Sequence, residues 1–276
     1  MVKFNKAIFK SSHNSYSGDL CGRKGSIQEQ LNNGILGIEL DIYGLKNFQI
    51  GHKAPGHEVD LRGIKCLDSE MKFSLHNWLE PIKQWSDENQ NLHPPITLFL
   101  DIRLIIEHSI YYDYEELNNV VKKIFNDSIF SPRDLNNSDW PDVNKLRGKI
   151  IIVLTGEKGV KWRYINKIKN EKRNCFASFS YKLDGNGKSG KGKELLENSQ
   201  FINVRINDWK WANEQFKKEK IIRLYYFDEI FKLKSYYKCK NIKCNFPATD
   251  YPYGEIYNEF LKTLSNNHLE MELIGA

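Results

Sequence analysis

The stretch ITLFLDIRL, residues 96–104, decides the fold class of this chain. It opens on an apolar and β-branched run without polar alternation, and GKIIIVLTG, residues 148–156, has the same character. Uninterrupted apolar runs of this length are typical of strands buried on both faces, as in a parallel sheet covered by helices. The two stretches therefore predict an α/β protein with a parallel sheet.

Short β-branched and aromatic runs alternate along the chain with longer amphipathic stretches. The runs cover residues 6–12, 34–44, 47–52, 96–104, 148–156, 175–181, 201–208, 221–227 and 242–252. Helices are predicted for SIQEQLNNG, SLHNWLEPIKQWSDEN, YDYEELNNVVKKIFND, KWANEQFKKEK and GEIYNEFLKTLSNN. In a chain of 276 residues this alternation indicates one domain, residues 1–276, folded as a TIM-like (β/α)8 barrel. A doubly wound open sheet is the alternative.

The formal net charge of +6 and the isoelectric point of about 8.8 predict a weak attraction to anionic partners. The sequence has no nucleic-acid-binding motif, and its lysines are scattered rather than gathered on one helix face. Most of them are interpreted as a solvated surface, with attraction to a membrane as a second role. Charge alone does not choose between a membrane surface and another anionic partner, and we expect no nucleic acid and a monomer without an obligate protein partner.

The five cysteines are widely spaced, and their odd number excludes a complete disulfide framework, so reduced thiols are expected. No apolar run reaches the length of a signal peptide at the N-terminus or of a membrane span elsewhere. These features leave the compartment open between a cytoplasmic protein and an exported one whose signal is absent or has been removed.

Polar residues lie at the ends of the first four predicted strands, where a barrel carries its catalytic groups. The chain places six candidates there: His13 and Asn14 after the first run, Glu39 and Asp41 within the second, His52 after the third, and Asp101 within the fourth. The oxygen donors suit a hard cation such as Ca²⁺ or Mg²⁺, and two imidazoles can exchange protons with a nucleophile and a leaving group. A cation beside two histidines indicates phosphodiester cleavage.

Each of these residues also has a structural interpretation when taken alone. A single histidine at a strand end is more often a hydrogen-bonded structural residue than a catalyst. Asp101 could pair with Arg103, and Asn14 could form a turn. Unpaired carboxylates facing a barrel interior are costly, so Glu39 and Asp41 require a cation or basic partners. The predicted site rests on the joint placement of the six residues.

These motifs resemble the phosphatidylinositol-specific phospholipases C, in particular the compact calcium-dependent bacterial type. The similar stretches are SSHNSY, SIQEQLNNGILGIELDIYG, IGH, PITLFLD, LRGKIIIVL and, near the C-terminus, NFPATDYP. HNSY alone is a weak signal, whereas all these motifs together follow in the expected order. The resemblance covers most of the barrel, most closely residues 6–104.

The resemblance implies a barrel of the PLC-like phosphodiesterase type that works by intramolecular transphosphorylation. The inositol 2-hydroxyl attacks phosphorus, and diacylglycerol leaves, so the resemblance also implies a phospholipid headgroup at a membrane surface as partner. His13 and His52 become the catalytic pair, with His13 beside the phosphoryl group and His52 as the acid for the leaving group, or with these roles exchanged. The resemblance assigns calcium, with Mg²⁺ as the alternative ion, to four residues: Asn14, Glu39, Asp41 and Asp101.

Three further residues are candidates for substrate contact. Arg223 resembles a family arginine near the phosphate or inositol, and Tyr225 and Tyr251 are candidates for stacking on the substrate. Membrane contact is expected from a loop, KWRYINKIK, that presents Trp162 and Tyr164 among bases.

Two departures from the animal enzymes of the family bear on the substrate. Asp101 stands where those enzymes carry glutamate, so its shorter side chain leaves a metal position to water. The fifth strand reads IIIVLTG and lacks the lysines that hold ring phosphates in those enzymes. We therefore expect unphosphorylated phosphatidylinositol, or another phosphodiester, as substrate.

Other functions stay open. Glycerophosphodiesterases and sphingomyelinases D resemble the same layout on the same barrel. A non-catalytic lipid-binding module would keep the barrel without turnover, although a pure binder needs no acid and base together. The stretch DGNGKSGKGKELLEN nearly spells a nucleotide-binding loop, but Gly192 stands where Ser or Thr should bind magnesium, so we interpret it as a flexible basic loop.

Overall fold

The apolar runs that contain ITLFLDIR and IIIVLTG form adjacent parallel strands of one sheet. The computed structural model describes residues 2–44, 47–65, 71–89, 92–104, 112–135, 139–226, 241–268 and 270–274. Within these ranges the strands are β1 (Ala7–Phe9), β2 (Ser11–Ser12), β3 (Gly37–Tyr43), β4 (Gln49–Ile50), β5 (Ile96–Arg103), β6 (Ile150–Gly156), β7 (Phe176–Phe179), β8 (Phe201–Arg205), β9 (Ile221–Tyr225), β10 (Phe246–Thr249) and β11 (Glu272–Ile274). Every run that was predicted to be a strand contains at least one, the first run contains both β1 and β2, and β11 is additional.

The parallel strands close into a barrel in the order β2-β3-β5-β6-β7-β8-β9-β10, and β10 pairs back to β2. Closure depends on Gly37, the register partner of Ser11, because a Cβ atom at Gly37 would lie 2.5 Å from the Ser11 Oγ. The TIM-like (β/α)8 barrel is thereby confirmed, and the open sheet is excluded.

The third predicted run is not a barrel strand. β4 pairs antiparallel with β3 outside the ring, in register Ile42 with Ile50. His52 therefore follows a hairpin that returns along β3, and the expectation that four successive barrel strands carry the site was wrong on this point. The return of the chain still brings His52 to the carboxyl end of β3.

Helices surround the barrel: α1 (Ile27–Asn32), α2 (Leu75–Glu88), α3 (Tyr114–Phe125), α4 (Lys158–Lys167), α5 (Gly190–Asn198), α6 (Trp209–Phe216) and α7 (Glu255–Asn267). Helix α1 begins with a capping box, since the Ser26 side chain accepts a hydrogen bond from the Glu29 peptide N–H and the Glu29 carboxylate accepts one from the Ser26 peptide N–H. Among the described residues, no helix has the length and apolar character needed to cross a bilayer.

The segment KWRYINKIK, which was predicted to be a membrane-facing loop, lies largely in α4. Tyr164 is fully buried and donates a hydrogen bond to Asn118 Oδ1 at 2.7 Å. Trp162 is half-buried and donates its indole N–H to Glu194 Oε2 at 2.5 Å. The predicted membrane contact of Tyr164 was therefore wrong, whereas that of Trp162, which is partly exposed, stays a prediction.

The stretch that resembles a nucleotide-binding loop contains α5, which begins at Gly190. Asp184, before this helix, forms a fully buried ion pair with Lys161 of α4 at 2.7 Å. The segment is therefore an anchored turn followed by a helix, and its interpretation as a loop throughout was wrong.

Aromatic side chains fill the amino-terminal half of the barrel. Phe9 and Phe246 stack with ring centroids 5.0 Å apart, and Phe99 meets Phe246 edge-on at 5.3 Å and Phe201 edge-on at 6.3 Å. The Arg223 guanidinium lies 4.8 Å from the Phe99 ring. This apolar layer forms the floor of the polar site at the other end of the barrel.

Candidate active site

The carboxyl ends of the barrel strands surround a cleft of about 470 Å³. Its lining includes five of the predicted site residues: His13, Glu39, His52, Asp101 and Tyr225. Residues that were not predicted as site residues also line it, among them Arg103, Leu104, Lys158, Leu183, Arg205 and Tyr226. The position is the one where a barrel of this type places its chemistry.

Three carboxylates lie on two neighbouring strands of this site. Asp41 on β3 and Asp101 on β5 are register partners, and Glu39 precedes Asp41 by two residues on the same strand face. All three side chains are buried. Because like charges in a buried site repel each other strongly, the three carboxylates require cations close by.

Asn14 follows β2 with a left-handed backbone, φ +46°. Asparagine adopts this conformation more readily than most residues. Its peptide N–H donates to Glu39 Oε2 at 2.8 Å, and its side-chain Nδ2 lies 3.4 Å from His52 Nδ1. The remaining oxygen, Asn14 Oδ1, is buried and has no hydrogen-bond partner among the described residues.

An aspartate near the other end of the chain holds His13. Nδ1 of His13 lies 3.3 Å from Oδ2 of Asp250, and Lys24 Nζ donates to Oδ1 of the same carboxylate at 2.5 Å. Burial raises the pKa of Asp250, but the His13 and Lys24 contacts outweigh it and hold the pKa below its usual value. An ionised Asp250 favours a proton on Nδ1 of His13. The Tyr225 ring stacks on His13 with centroids 6.1 Å apart.

Nδ1 of His52 also lies beside a carboxylate. This atom lies 3.4 Å from Asp41 Oδ2 and 3.4 Å from the Tyr16 hydroxyl. Burial and then the charges of Asp41 and Glu39 raise the pKa of Tyr16 well above its ordinary value, so the hydroxyl stays protonated. Both cleft histidines thus stand beside carboxylates through Nδ1, which is an arrangement suited to an acid and a base.

Arg223 neutralises Glu39 from inside the barrel. Its Nη2 lies 2.7 Å from Glu39 Oε2, and its Nη1 donates to Asn203 Oδ1 at 2.8 Å. Burial raises the pKa of Glu39, but Arg223, followed by His13, outweighs burial and holds that pKa below its usual range. Arg223 is 1% exposed and lies beneath the cleft rather than in its lining.

Arg103 joins the other two carboxylates. Its Nε lies 2.7 Å from Asp101 Oδ2, and its Nη2 lies 2.9 Å from Asp41 Oδ2. Thr155 donates its hydroxyl to Asp101 Oδ1 at 2.7 Å. Burial and then the Asp41 charge raise the pKa of Asp101 to about 6, against the opposing effect of Arg103.

The residues predicted to bind calcium fit a hard cation in their chemistry, since all supply oxygen. Asn14 Oδ1 and Asp41 Oδ1 are buried without a hydrogen-bond partner in the described part of the chain, and such atoms are costly unless a ligand satisfies them. The described residues contain no group of three or more His, Cys, Asp or Glu side chains arranged to hold a metal ion. Arg103 also contacts Asp41 and Asp101, so these donors fit a cation once Arg103 moves away.

Tyr251 lies apart from the other predicted site residues. Its side chain is 43% exposed and does not belong to the cleft lining. Sequence reasoning missed Asp250, although the TDYP motif contains it, and treated Arg103 only as a structural partner of Asp101. The spacing of Arg103 two residues after Asp101 was the available signal, because strand alternation puts both on one face.

The family model of the phosphatidylinositol-specific phospholipase C X domain matches residues 3–155 of the chain. A search of curated proteins found no match. Among solved structures, the chain is similar to a calcium-dependent phosphoinositol-specific phospholipase C from Pseudomonas sp. in a myoinositol complex, with 22% identity, a TM-score of 0.70, and 93% of this chain and 94% of that chain covered.

Two further structures show the same barrel. A Ca²⁺-dependent phosphatidylinositol-specific phospholipase C from Streptomyces antibioticus has 13% identity and a TM-score of 0.65, with 91% of this chain and 96% of that chain covered. A phosphodiesterase from Oleispira antarctica in complex with sn-glycerol-3-phosphate has 12% identity and a TM-score of 0.53, with 93% and 96% covered. At these identities the likeness establishes the fold.

The family match spans more than half of the chain and includes the elements that carry His13, Glu39, His52 and Asp101. It confirms the resemblance drawn from the HNSY, Glu-x-Asp and Gly-His motifs. Members of this family are phosphodiester-cleaving enzymes of the phospholipase C type. The chain belongs to the phosphatidylinositol-specific phospholipase C family.

Proposed function

We propose that this enzyme cleaves phosphatidylinositol in a calcium-dependent transphosphorylation that releases diacylglycerol and a cyclic inositol phosphate. The observation that carries the proposal is the placement of His13 and His52 on one cleft, each with Nδ1 beside a carboxylate. We also propose that residues 1–276 form one catalytic domain.

The two histidines divide the proton transfers. His13 accepts the proton of the inositol 2-hydroxyl while that oxygen forms a bond to phosphorus, and His52 donates a proton to the glycerol oxygen as its bond to phosphorus breaks. The opposite assignment is the alternative. Asp250 and Asp41, through Nδ1 of His13 and His52 respectively, stabilise whichever imidazole is protonated.

Calcium would be held by Asn14, Glu39, Asp41 and Asp101, with Mg²⁺ as the alternative ion of the same chemistry. The unpartnered oxygens Asn14 Oδ1 and Asp41 Oδ1 support this assignment. When bound, the ion supplies positive charge for the phosphoryl oxygens and lowers the pKa of the attacking hydroxyl. The two bacterial phospholipases C of the same fold are described as calcium-dependent.

The proposed headgroup is inositol without further ring phosphates. Tyr225 offers an aromatic face beside His13, and β6 ends in Thr155 and Gly156 rather than in lysines. Arg223 supports the substrate indirectly, because it neutralises Glu39 beneath the cleft. Contact of the substrate with Tyr251, outside the cleft, stays a prediction.

Apolar side chains stand at the mouth of the cleft. Leu104, Leu183 and Tyr226, here called the cleft rim, are 49%, 59% and 41% exposed. Lys158 and Arg205 line the same cleft. Exposed apolar groups beside bases suit an anionic lipid surface, so we propose that the cleft rim makes the membrane contact.

Phosphorus NMR of the purified protein with phosphatidylinositol vesicles tests the reaction. A cyclic inositol phosphate signal in calcium that disappears with chelator is the expected result. Absence of turnover under both conditions removes this substrate, and glycerophosphoinositol, lysophosphatidylcholine and sphingomyelin in the same assay then test the glycerophosphodiesterase and sphingomyelinase D alternatives. Vesicle binding without turnover of any of them would indicate a non-catalytic lipid-binding module.

A further inference from the structure

Arg103 occupies the space between two of the proposed calcium ligands. Asp41 and Asp101 are register partners on β3 and β5, and Arg103 follows Asp101 by two residues on the same strand face. Its Nε lies 2.7 Å from Asp101 Oδ2, and its Nη2 lies 2.9 Å from Asp41 Oδ2. The guanidinium is therefore a cation that bridges these two carboxylates in the structure.

The contacts of Arg103 with Asp41 and Asp101 depend more on electrostatic attraction than on hydrogen bonding. Arg103 Nε and Asp41 Oδ2 are buried atoms without a hydrogen-bond partner in the described residues, so their close contacts lack hydrogen-bond alignment. Alignment is what makes bidentate arginine–carboxylate pairs strong. The Arg103 side chain is also 40% exposed, so it can move into solvent within the cleft.

The other arginine of the site is fixed. Arg223 is 1% exposed, packs over the Phe99 ring at 4.8 Å and donates to Asn203. Moving Arg223 would leave Glu39 as a buried charge without its cation, which is strongly unfavourable. Of these two arginines, Arg103 is the one that can leave its carboxylates.

We propose that Arg103 is a displaceable occupant of the calcium site, and that the ion binds Asp41 and Asp101 only after the guanidinium moves off them. This inference rests on the proposed calcium dependence. A divalent cation and a guanidinium on the same two carboxylates repel each other at close range, so the two occupants exclude each other. Because calcium binding includes the cost of breaking both ion pairs, Arg103 weakens the affinity of the site for calcium.

Isothermal titration of calcium chloride into wild-type protein and Arg103→Met tests this competition. Methionine keeps an unbranched side chain and removes the charge. We expect Arg103→Met to bind calcium about tenfold more tightly than wild type, which corresponds to ~1.4 kcal/mol. Arg103→Lys keeps the charge but loses the planar fork, and its affinity should lie between the two.

Arg62 offers a matched control outside the cleft. It also contacts two carboxylates, with Nη2 2.7 Å from Asp19 Oδ2 and 2.5 Å from Asp60 Oδ2. Arg62→Met removes the same charge from between two carboxylates, although Arg62 is hydrogen-bonded to both. Its calcium affinity should equal that of wild type, because neither aspartate is a proposed calcium ligand.

Arginine-selective NMR of the wild type follows the guanidinium without any substitution. The Nε–H signal of Arg103, assigned with Arg103→Lys, should shift with calcium occupancy, whereas the Arg62 signal should not. If Arg103→Met fails to fold, the NMR titration of the wild type still tests the displacement. An Arg103 Nε–H chemical shift that does not change when calcium is bound overturns it.

The outcomes separate this inference from the proposed function. Equal calcium affinity in wild type, Arg103→Met and Arg103→Lys overturns the displacement and leaves the calcium site intact. If no variant binds calcium while wild type still cleaves phosphatidylinositol in chelator, calcium dependence fails, and the displacement fails with it. Tighter binding by Arg103→Met than by wild type, with Arg103→Lys between the two and Arg62→Met unchanged, supports the displacement.

Discussion

His13 and Asp250 stand 237 residues apart in the chain and meet with Nδ1 of the histidine 3.3 Å from Oδ2 of the aspartate. They meet because β10 pairs in parallel with β2, with Thr249 opposite Ser12, so the next residue of each strand lies at the same end of the barrel. The orientation of a candidate catalytic histidine from the first barrel strand therefore depends on the last one.

Asp250→Asn should lower kcat by about 10²-fold, with a smaller change in KM, because the neutral amide stabilises the imidazolium of His13 less than a carboxylate does. Steady-state kinetics on phosphatidylinositol vesicles measure both constants. Asp139→Asn is the control, since it removes an exposed carboxylate that pairs with Lys3. A wild-type kcat for Asp250→Asn would show that His13 works without this partner.

His52→Ala should reduce turnover by about 10²- to 10⁴-fold, because the leaving group loses its proton donor. Vesicle co-sedimentation should show lipid binding close to that of wild type. His76→Ala is the matched control, because His76 is exposed on α2 and lies 3.5 Å from Glu80. Unchanged turnover in His52→Ala would contradict the proposed role of His52.

Asn14→Gly should weaken calcium binding about tenfold, because it removes the unpartnered Oδ1. Glycine tolerates the left-handed backbone, and the peptide N–H that donates to Glu39 is kept. Asn126→Gly is the matched control, since Asn126 has φ +39° in an exposed turn after α3. Calcium titration calorimetry measures the three affinities, and equal values would remove Asn14 from the ligand set.

Leu104→Ser combined with Leu183→Ser should weaken partition onto phosphatidylinositol vesicles by about tenfold, because the cleft rim loses apolar area that would be buried in lipid. Cleavage of a soluble short-chain substrate below its micelle concentration should change little. Leu92→Ser is the control, since Leu92 is 75% exposed and lies before β5, at the opposite end of the barrel. If Leu92→Ser weakens partition equally, the cleft rim is not the contact surface.

His93 should make the enzyme less stable in acid. Burial, aided by Arg147 and opposed by the Pro94 carbonyl, lowers the pKa of His93 from its ordinary 6.5. The unfolded chain therefore binds a proton more readily, and the stability that neutral His93 contributes is complete above the ordinary pKa and lost as the pH falls through the lowered one.

Urea unfolding from neutral pH to about pH 5 should thus show a larger loss of unfolding free energy in wild type than in His93→Gln. His76→Gln, which alters an exposed histidine, should follow wild type. Parallel curves for wild type and His93→Gln would contradict the assignment.

Local sequence was enough to predict the barrel strands. The runs that form β5 and β6 are apolar because both faces of these strands are buried, and strand alternation places Glu39 and Asp41 on one face. Helix α4 was harder to predict because its buried face includes polar groups, and α5 because it buries little apolar surface beyond Leu195. Lys161, for example, is fully buried in α4 only because Asp184 pairs with it.

The sequence by itself determined the residue types of the site and the strand ends that carry them, since both follow from periodicity along one segment. Only the tertiary structure decided that β4 turns back antiparallel, that His13 faces Asp250, and that Arg103 bridges Asp41 and Asp101. The contacts of His13 with Asp250 and of Arg103 with Asp41 depend on strand register and on closure of the barrel, which join residues that no local spacing relates. The charge balance of the site therefore depends on the closed barrel. The same is true of the contact between the Arg103 guanidinium and the carboxylates of Asp41 and Asp101.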